Sequence, residues 1–212
     1  MLLASVGELL LISALLWTVS RLLPWWRIDE QASVGVAIAR GWHAPIPSQR
    51  GWLMLLVFAF IMVAITASFG VVRFALSDAA GSLDAPWQGL VLVHDTLSQL
   101  SRQLAMPAYA LTALWLWGRL PSWAVLLLAA VSQLPLLGAP ALATDAVLLL
   151  SLLRLAQFAA PRWVFIGATV SLLLVPLSGL VIADNDLAMG VFHLCLALHF
   201  VGFSAALPRQ RD

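Results

Sequence analysis

The sequence predicts an all-α, polytopic membrane protein: a bundle of seven transmembrane helices with its N-terminus outside and its C-terminus in the cytoplasm. The 212 residues are 62% hydrophobic and 10% charged, whereas about a quarter of the residues of a soluble domain are charged. The mean hydropathy is +0.98. A helix that crosses a bilayer needs about 17 to 25 apolar residues. Apolar runs of this length occupy most of the chain. Residues 1–212 are therefore expected to form a single membrane domain.

Seven apolar segments are the predicted spans. They cover residues 2–23, 51–76, 87–117, 122–138, 141–158, 162–182 and 187–207. The run between Arg119 and Arg154 is divided in two because Leu-Gly-Ala-Pro at 137–140 is a turn signal. The third span is about 46 Å long at 1.5 Å per residue, so we expect it to tilt, to kink at Pro107 or to project beyond the hydrocarbon.

The placement of arginine predicts the orientation, since all basic residues except the histidines are arginines. With the N-terminus outside, at most Arg73 falls on the outer side. The cytoplasmic side receives Arg21, Arg27, Arg40, Arg50, Arg119, Arg154, Arg162, Arg209 and Arg211, as the positive-inside rule requires. Residues 24–50 form a cytoplasmic loop that we expect to lie partly in the interface. The lipid bilayer, in a bacterial inner (plasma) membrane, is the first predicted partner.

The third predicted span carries an unusually polar segment between residues 93 and 112. At about 100° per residue, its polar positions fall within slightly less than half of the helix circumference. They are His94, Asp95, Ser98, Ser101, Arg102, Tyr109 and Thr112. Polar and ionisable side chains within a membrane almost always face the bundle interior or a wet cavity. We therefore expect this helix at the centre of the bundle, with the polar face inward, as a functional site.

Five ionisable side chains lie one or two helical turns below the predicted outer end of their spans. They are Glu8, His94, Asp95, Asp145 and His193. Neutral imidazoles from two helices at equal depth can ligate a haem iron, and histidines with a carboxylate can hold zinc or copper. The sequence therefore predicts haem b or a transition metal as cofactor. His94 and His193 are the expected cofactor ligands, with Asp95 and Asp145 as further metal ligands.

A polar network is predicted around this site. An unpaired guanidinium near the midplane would cost at least about 2.5 to 3.5 kcal/mol, so Arg102 is expected to pair with Asp95, with Asp145 or with both. A purely structural ion pair is the alternative to a functional role. The other expected network members are Ser98, Gln99, Tyr109, Glu8 and Asp186. Asp95 and Asp186 are expected to orient the two imidazoles, as carboxylates do for ligating histidines.

Four functions are compatible with these features. The favoured one is a redox or metal-handling membrane subunit. The alternatives are an accessory subunit of a larger membrane complex, a small proton-coupled transporter and a membrane-embedded metal-dependent hydrolase. The sequence has no GxSxG, HExxH, P-loop or dinucleotide glycine motif, and its single cysteine, Cys195, excludes an intrachain disulfide. Other membrane subunits are predicted partners, and nucleic acid is not.

Overall fold

The fold of this chain is helical throughout the part that can be described. The computed structural model describes residues 2–26, 50–77, 84, 87–117, 122–133, 146, 147, 149–151, 153, 170 and 181–206, and no strand occurs among them. Three of the helices in these ranges are long and apolar enough to cross a membrane, over Leu2–Leu23, Gly51–Leu76 and Asn185–Ala205. The all-α prediction is confirmed, and three predicted spans coincide with these helices. Most of the loop 24–50 and of the spans 141–158 and 162–182 lies outside the described residues.

Six α-helices and one π-helical turn are described. In chain order they are α1 (Leu2–Trp26), α2 (Arg50–Leu76), α3 (Gln88–Leu100), the π-helical turn Ser101–Ala105, α4 (Met106–Trp117), α5 (Ser122–Ser132) and α6 (Asn185–Ala206). Leucine and alanine, which dominate these segments, are among the best helix formers. The segment α3 to α4 is continuous and corresponds to the third predicted span.

Helices α1 and α6 lie side by side and run in the same direction. At their first turns, the carboxylate of Asp186 accepts hydrogen bonds from the backbone N–H groups of Leu3 (3.2 Å) and Ala4 (2.9 Å). Further along both helices, the Thr18 hydroxyl donates to the backbone carbonyl of Phe200 at 3.1 Å. Since residue numbers rise together along the contact, the helices are parallel.

Glycines allow this close approach of α1 and α6. A Cβ atom at Gly7 would lie 2.9 Å from Cβ of His193, and one at Gly190 would lie 3.1 Å from Cβ and the carbonyl oxygen of Leu3. Small residues at a helix contact let the two backbones approach, as is common between membrane helices. The contact brings the first turns of α1 next to His193.

Helix α2 runs antiparallel to the α3–α4 segment. Thr66 near its C-terminal end shares a hydrogen bond of 2.6 Å with Ser101. Towards its start, the ring of Trp52 stacks on that of Trp115 with centroids 4.9 Å apart. The end of α2 therefore meets the beginnings of α1, α3 and α6, and the candidate site lies at this end.

A π-helical turn, Ser101–Ala105, lies just before Pro107, the residue at which a kink was one of three alternatives expected for the third span. In an α-helical register, the nitrogen of residue 107 would donate to the carbonyl of Gln103, but proline has no N–H. The side-chain amide of Gln133, at the end of α5, donates to that carbonyl at 2.9 Å instead. Helix α5 thus satisfies the backbone group that the proline leaves without a donor.

The core is apolar and lies between α1, α2, α4 and α6. Its largest fully buried side chains are Tyr109, Phe60, Phe200, Leu15, Leu22, Leu53, Leu56 and Leu114. Many outward side chains are apolar too, and Leu16 and Phe58 are more than half exposed. Polar side chains such as Glu8 and His94 are buried, whereas many leucines are exposed. The surface therefore suits lipid better than water.

Candidate functional site

The candidate site is centred on Glu8, a carboxylate of α1 that is only 2% exposed. Its Oε1 atom lies 3.0 Å from Nε2 of His193 on α6 and 3.7 Å from Nε2 of His94 on α3. Both imidazoles are 5% exposed. The structure therefore brings together three side chains, from three helices, that the sequence places at one depth.

Helix α2 provides the space for Glu8 and one wall of the cluster. A Cβ atom at Gly70 would lie 2.7 Å from the carboxyl carbon of Glu8 and 3.0 Å from Nε2 of His94, so a larger residue would displace the carboxylate. One turn further, the ring of Phe74 lies with its centroid 5.6 Å from that of His94 and 6.1 Å from that of His193. The carboxylate therefore lies between two imidazoles, with an aromatic ring against both of them.

Arg73 and Asp95 form the outer layer of the site. Nη1 of Arg73 lies 2.7 Å from Nδ1 of His94 and is paired with Oδ1 of Asp95. The Arg73 side chain is 20% exposed and that of Asp95 59% exposed. A continuous series of polar contacts therefore leads from the exposed Asp95, through Arg73 and His94, to the buried Glu8 and His193.

The contact with Arg73 determines which nitrogen of His94 carries its proton. A guanidinium only donates hydrogen bonds, so Nδ1 of His94 must accept, and the neutral ring then has its proton on Nε2, facing Glu8. This tautomer has no lone pair at Nε2 for a metal. His193 differs, because its Nε2 faces Glu8 while its buried Nδ1 has no hydrogen-bond partner within the described ranges.

The site has its Glu8 carboxylate in the buried part and its Asp95 carboxylate in the exposed part. The guanidinium of Arg73 is paired with Asp95, whereas the contacts of Glu8 are with the imidazoles of His193 and His94. An uncompensated charge is costly in a low-dielectric interior. Since Nδ1 of His94 contacts Arg73, the 3.0 Å contact between Glu8 and His193 is where a carboxylate and an imidazole of this site can share a proton.

The polar face of the third predicted span is divided, so the prediction of one inward polar face is wrong. Its buried members are His94, Ser101, Tyr109 and Thr112, whereas Asp95 and Arg102 are exposed and Ser98 is half-buried. Gln99, which was predicted only as a member of the network, is exposed too. The reason is the position of α2, whose Gly70 and Thr66 contact the side of α3 that carries His94 and Ser101. Asp95, about 100° further round the helix, points away from that contact.

Other predicted site residues have different contacts from those expected. Asp186 was expected beside His193, but its carboxylate caps the start of α1. The Tyr109 hydroxyl lies 2.9 Å from Nε2 of His199, in a second buried polar pair. The partner found for Asp95 is Arg73.

The metal prediction involves a residue that the structure does not describe. Asp145 lies outside the described residues, so its role as metal ligand and its pairing with Arg102 stay predictions. Among the side chains that are described, no group of three or more His, Cys, Asp or Glu residues is arranged to hold a metal ion. Haem b or a transition metal therefore also stays a prediction.

Sequence reasoning missed the contribution of α2. Gly70, Arg73 and Phe74 all contact the cluster, and their spacing of three and four residues puts them on one helix face. The available signal was Arg73 itself, an arginine at the end of an apolar span that the predicted topology puts apart from the other arginines. No family model, curated protein or solved structure matches this chain.

Proposed function

We propose that this protein is a small proton-coupled transporter in which the Glu8–His193 pair binds and releases one proton. The observation that carries the proposal is the 3.0 Å contact between a carboxylate that is 2% exposed and a buried imidazole. A carboxylate and an imidazole at this distance can each hold the shared proton. Ionisable groups are retained within a membrane mainly for such purposes, including proton relays.

Arg73 favours proton binding over the haem or metal alternative. Its guanidinium donates to Nδ1 of His94, which leaves a proton rather than a lone pair on Nε2. A ligating histidine usually has the opposite arrangement, in which the second nitrogen donates to a carboxylate or carbonyl. The site as arranged offers donors and acceptors for a proton, and its aromatic wall keeps them in a low dielectric.

We also propose the seven-helix topology, with the N-terminus outside, the C-terminus in the cytoplasm, and the bacterial inner membrane as location. The parallel directions of α1 and α6 support it, because the first and last spans run the same way only when the number of crossings is odd. The concentration of arginines on one side supports the orientation. In this arrangement the proton site lies in the outer half of the bundle.

The proposal is tested by following the protonation of single groups in protein reconstituted into lipid. Infrared difference spectra between acidic and alkaline pH report the carboxylic acid of Glu8, and magnetic resonance of isotope-labelled histidine reports the protons on His94 and His193. We expect a pH-dependent signal of the Glu8–His193 pair that is lost in Glu8→Gln. The control is Asp184→Asn, which removes an exposed carboxylate that caps α6.

Two results would overturn this proposal. One is a Glu8–His193 pair whose protonation does not change over the whole pH range in which the protein stays folded. The other is a haem Soret band, or a stoichiometric metal, that is lost in both His94→Ala and His193→Ala. The second result would establish the redox or metal-handling alternative.

A further inference from the structure

The exposed side of α3 and the turn that follows it has a polar half and an apolar half. Asp95, Gln99 and Arg102 are exposed and are spaced by four and three residues, so they share one helix face, which we call the polar stripe. The adjacent exposed face is apolar and consists of Val93, Leu100 and Leu104. Two neighbouring residues, Gln99 and Leu100, thus have the same depth and face different surroundings.

The polar stripe is unsuited to contact with lipid, although it belongs to a segment that crosses the predicted membrane. A charged or amide side chain in hydrocarbon is costly and normally faces protein or a water-filled cavity. The apolar face beside it is suited to lipid. The boundary between lipid and the non-lipid surroundings of the stripe therefore lies within the roughly 100° of helix circumference that separate Gln99 from Leu100.

The stripe is connected to the buried cluster. Asp95 is its outermost member and is paired with Arg73, which in turn contacts His94. Nε of Arg73 and Nδ1 of His193 are buried and have no hydrogen-bond partner in the described part of the chain. Buried polar atoms of this kind are usually satisfied by protein or by water molecules, and Nε of Arg73 belongs to the guanidinium that contacts Asp95, a member of the stripe.

We infer that the polar stripe lines a water-filled path that connects the aqueous phase with the Glu8 cluster. This inference deepens the proposed function, since the path would be the route by which protons reach Glu8 and His193. Asp95 marks the point where the path meets the cluster. The apolar half, with Leu100, faces lipid.

The test compares cysteines at two adjacent positions, Gln99→Cys and Leu100→Cys, each in a Cys195→Ala background. Only a thiolate reacts rapidly with thiol-specific reagents, and thiolates form in water rather than in lipid. With a water-soluble, membrane-impermeant thiosulfonate applied to protein in sealed vesicles, we expect Gln99→Cys to react at least about tenfold faster than Leu100→Cys. Equal thermal stability of the two variants in detergent establishes that both are folded.

The inference would be overturned if Gln99→Cys reacted as slowly as Leu100→Cys in vesicles. In that case, reaction of Gln99→Cys only after detergent extraction would indicate that a protein partner or lipid covers the stripe. The labelling rates do not depend on the protonation of Glu8. A cluster that binds no proton would therefore refute the proposed function without affecting the evidence for the water-filled path. Slow labelling of Gln99→Cys would refute the path without affecting the evidence for proton binding.

Discussion

Replacing Gly70 with alanine is the most direct perturbation of the Glu8 cluster. The added Cβ atom would lie 2.7 Å from the carboxyl carbon of Glu8 and 3.0 Å from Nε2 of His94. Neither group can move away easily, because Phe74 lies against the imidazole and Glu8 is held by His193. We expect Gly70→Ala to displace the carboxylate and to weaken its hydrogen bond with His193.

The magnitude follows from three opposing contributions. Alanine is favoured over glycine within a helix by about 1 kcal/mol. Overpacking a filled interior costs about 1–3 kcal/mol, and loss of a buried hydrogen bond to a charged group costs about 1.5–3 kcal/mol. The unfavourable contributions exceed the favourable one, so Gly70→Ala should lower the free energy of unfolding by about 1.5–5 kcal/mol.

The assay is thermal or denaturant unfolding in detergent, with Gly51→Ala as the matched control. Gly51 belongs to the same helix, and nothing lies within 4 Å of a Cβ atom placed there, so this substitution should be neutral or slightly stabilising. In a Glu8→Ala background, Gly70→Ala should cost much less, since the main obstacle is gone. Equal stability of Gly70→Ala and Gly51→Ala would refute the packing of Glu8 against α2.

Two further predictions concern hydrogen bonds between helices. Gln133→Ala should cost about 1–3 kcal/mol because the Gln103 carbonyl loses its donor. The cost should shrink in a Pro107→Ala background, where the restored N–H can donate to the same carbonyl, and equal costs in both backgrounds would contradict the bridging role. Thr18→Val should cost about 1 kcal/mol, since it removes a buried hydroxyl whose proton is shared between the Ala14 carbonyl of α1 (2.8 Å) and the Phe200 carbonyl of α6 (3.1 Å). Ser13→Ala, whose hydroxyl bonds within α1, should change stability by less than about 0.5 kcal/mol, and unfolding of both variants in detergent measures the difference.

The common level of Glu8, His94 and His193 in the bundle could be predicted from the sequence. The length of an apolar run sets where a helix begins, and a constant rise per residue then sets the depth of each side chain. Glu8, His94 and His193 were therefore expected at one level. In the structure, Oε1 of Glu8 lies 3.0 Å from Nε2 of His193 and 3.7 Å from Nε2 of His94. The all-helical class is likewise a direct consequence of composition.

The direction in which each side chain points could not be predicted in this way. His94 and Asp95 are adjacent in sequence, and a hydrophobicity pattern does not distinguish which of them faces the bundle. That choice depends on where α2 lies, since Gly70 makes room for Glu8 beside His94 and Arg73 reaches both His94 and Asp95.

Asp186 illustrates the same limit, because its carboxylate binds the start of α1 only where α1 and α6 are neighbours. The sequence by itself determined the helical class and the common level of Glu8, His94 and His193, because both depend on local composition and a fixed helical rise. The tertiary structure decided their partners, because the rotation of each helix about its axis is set by the helices packed against it.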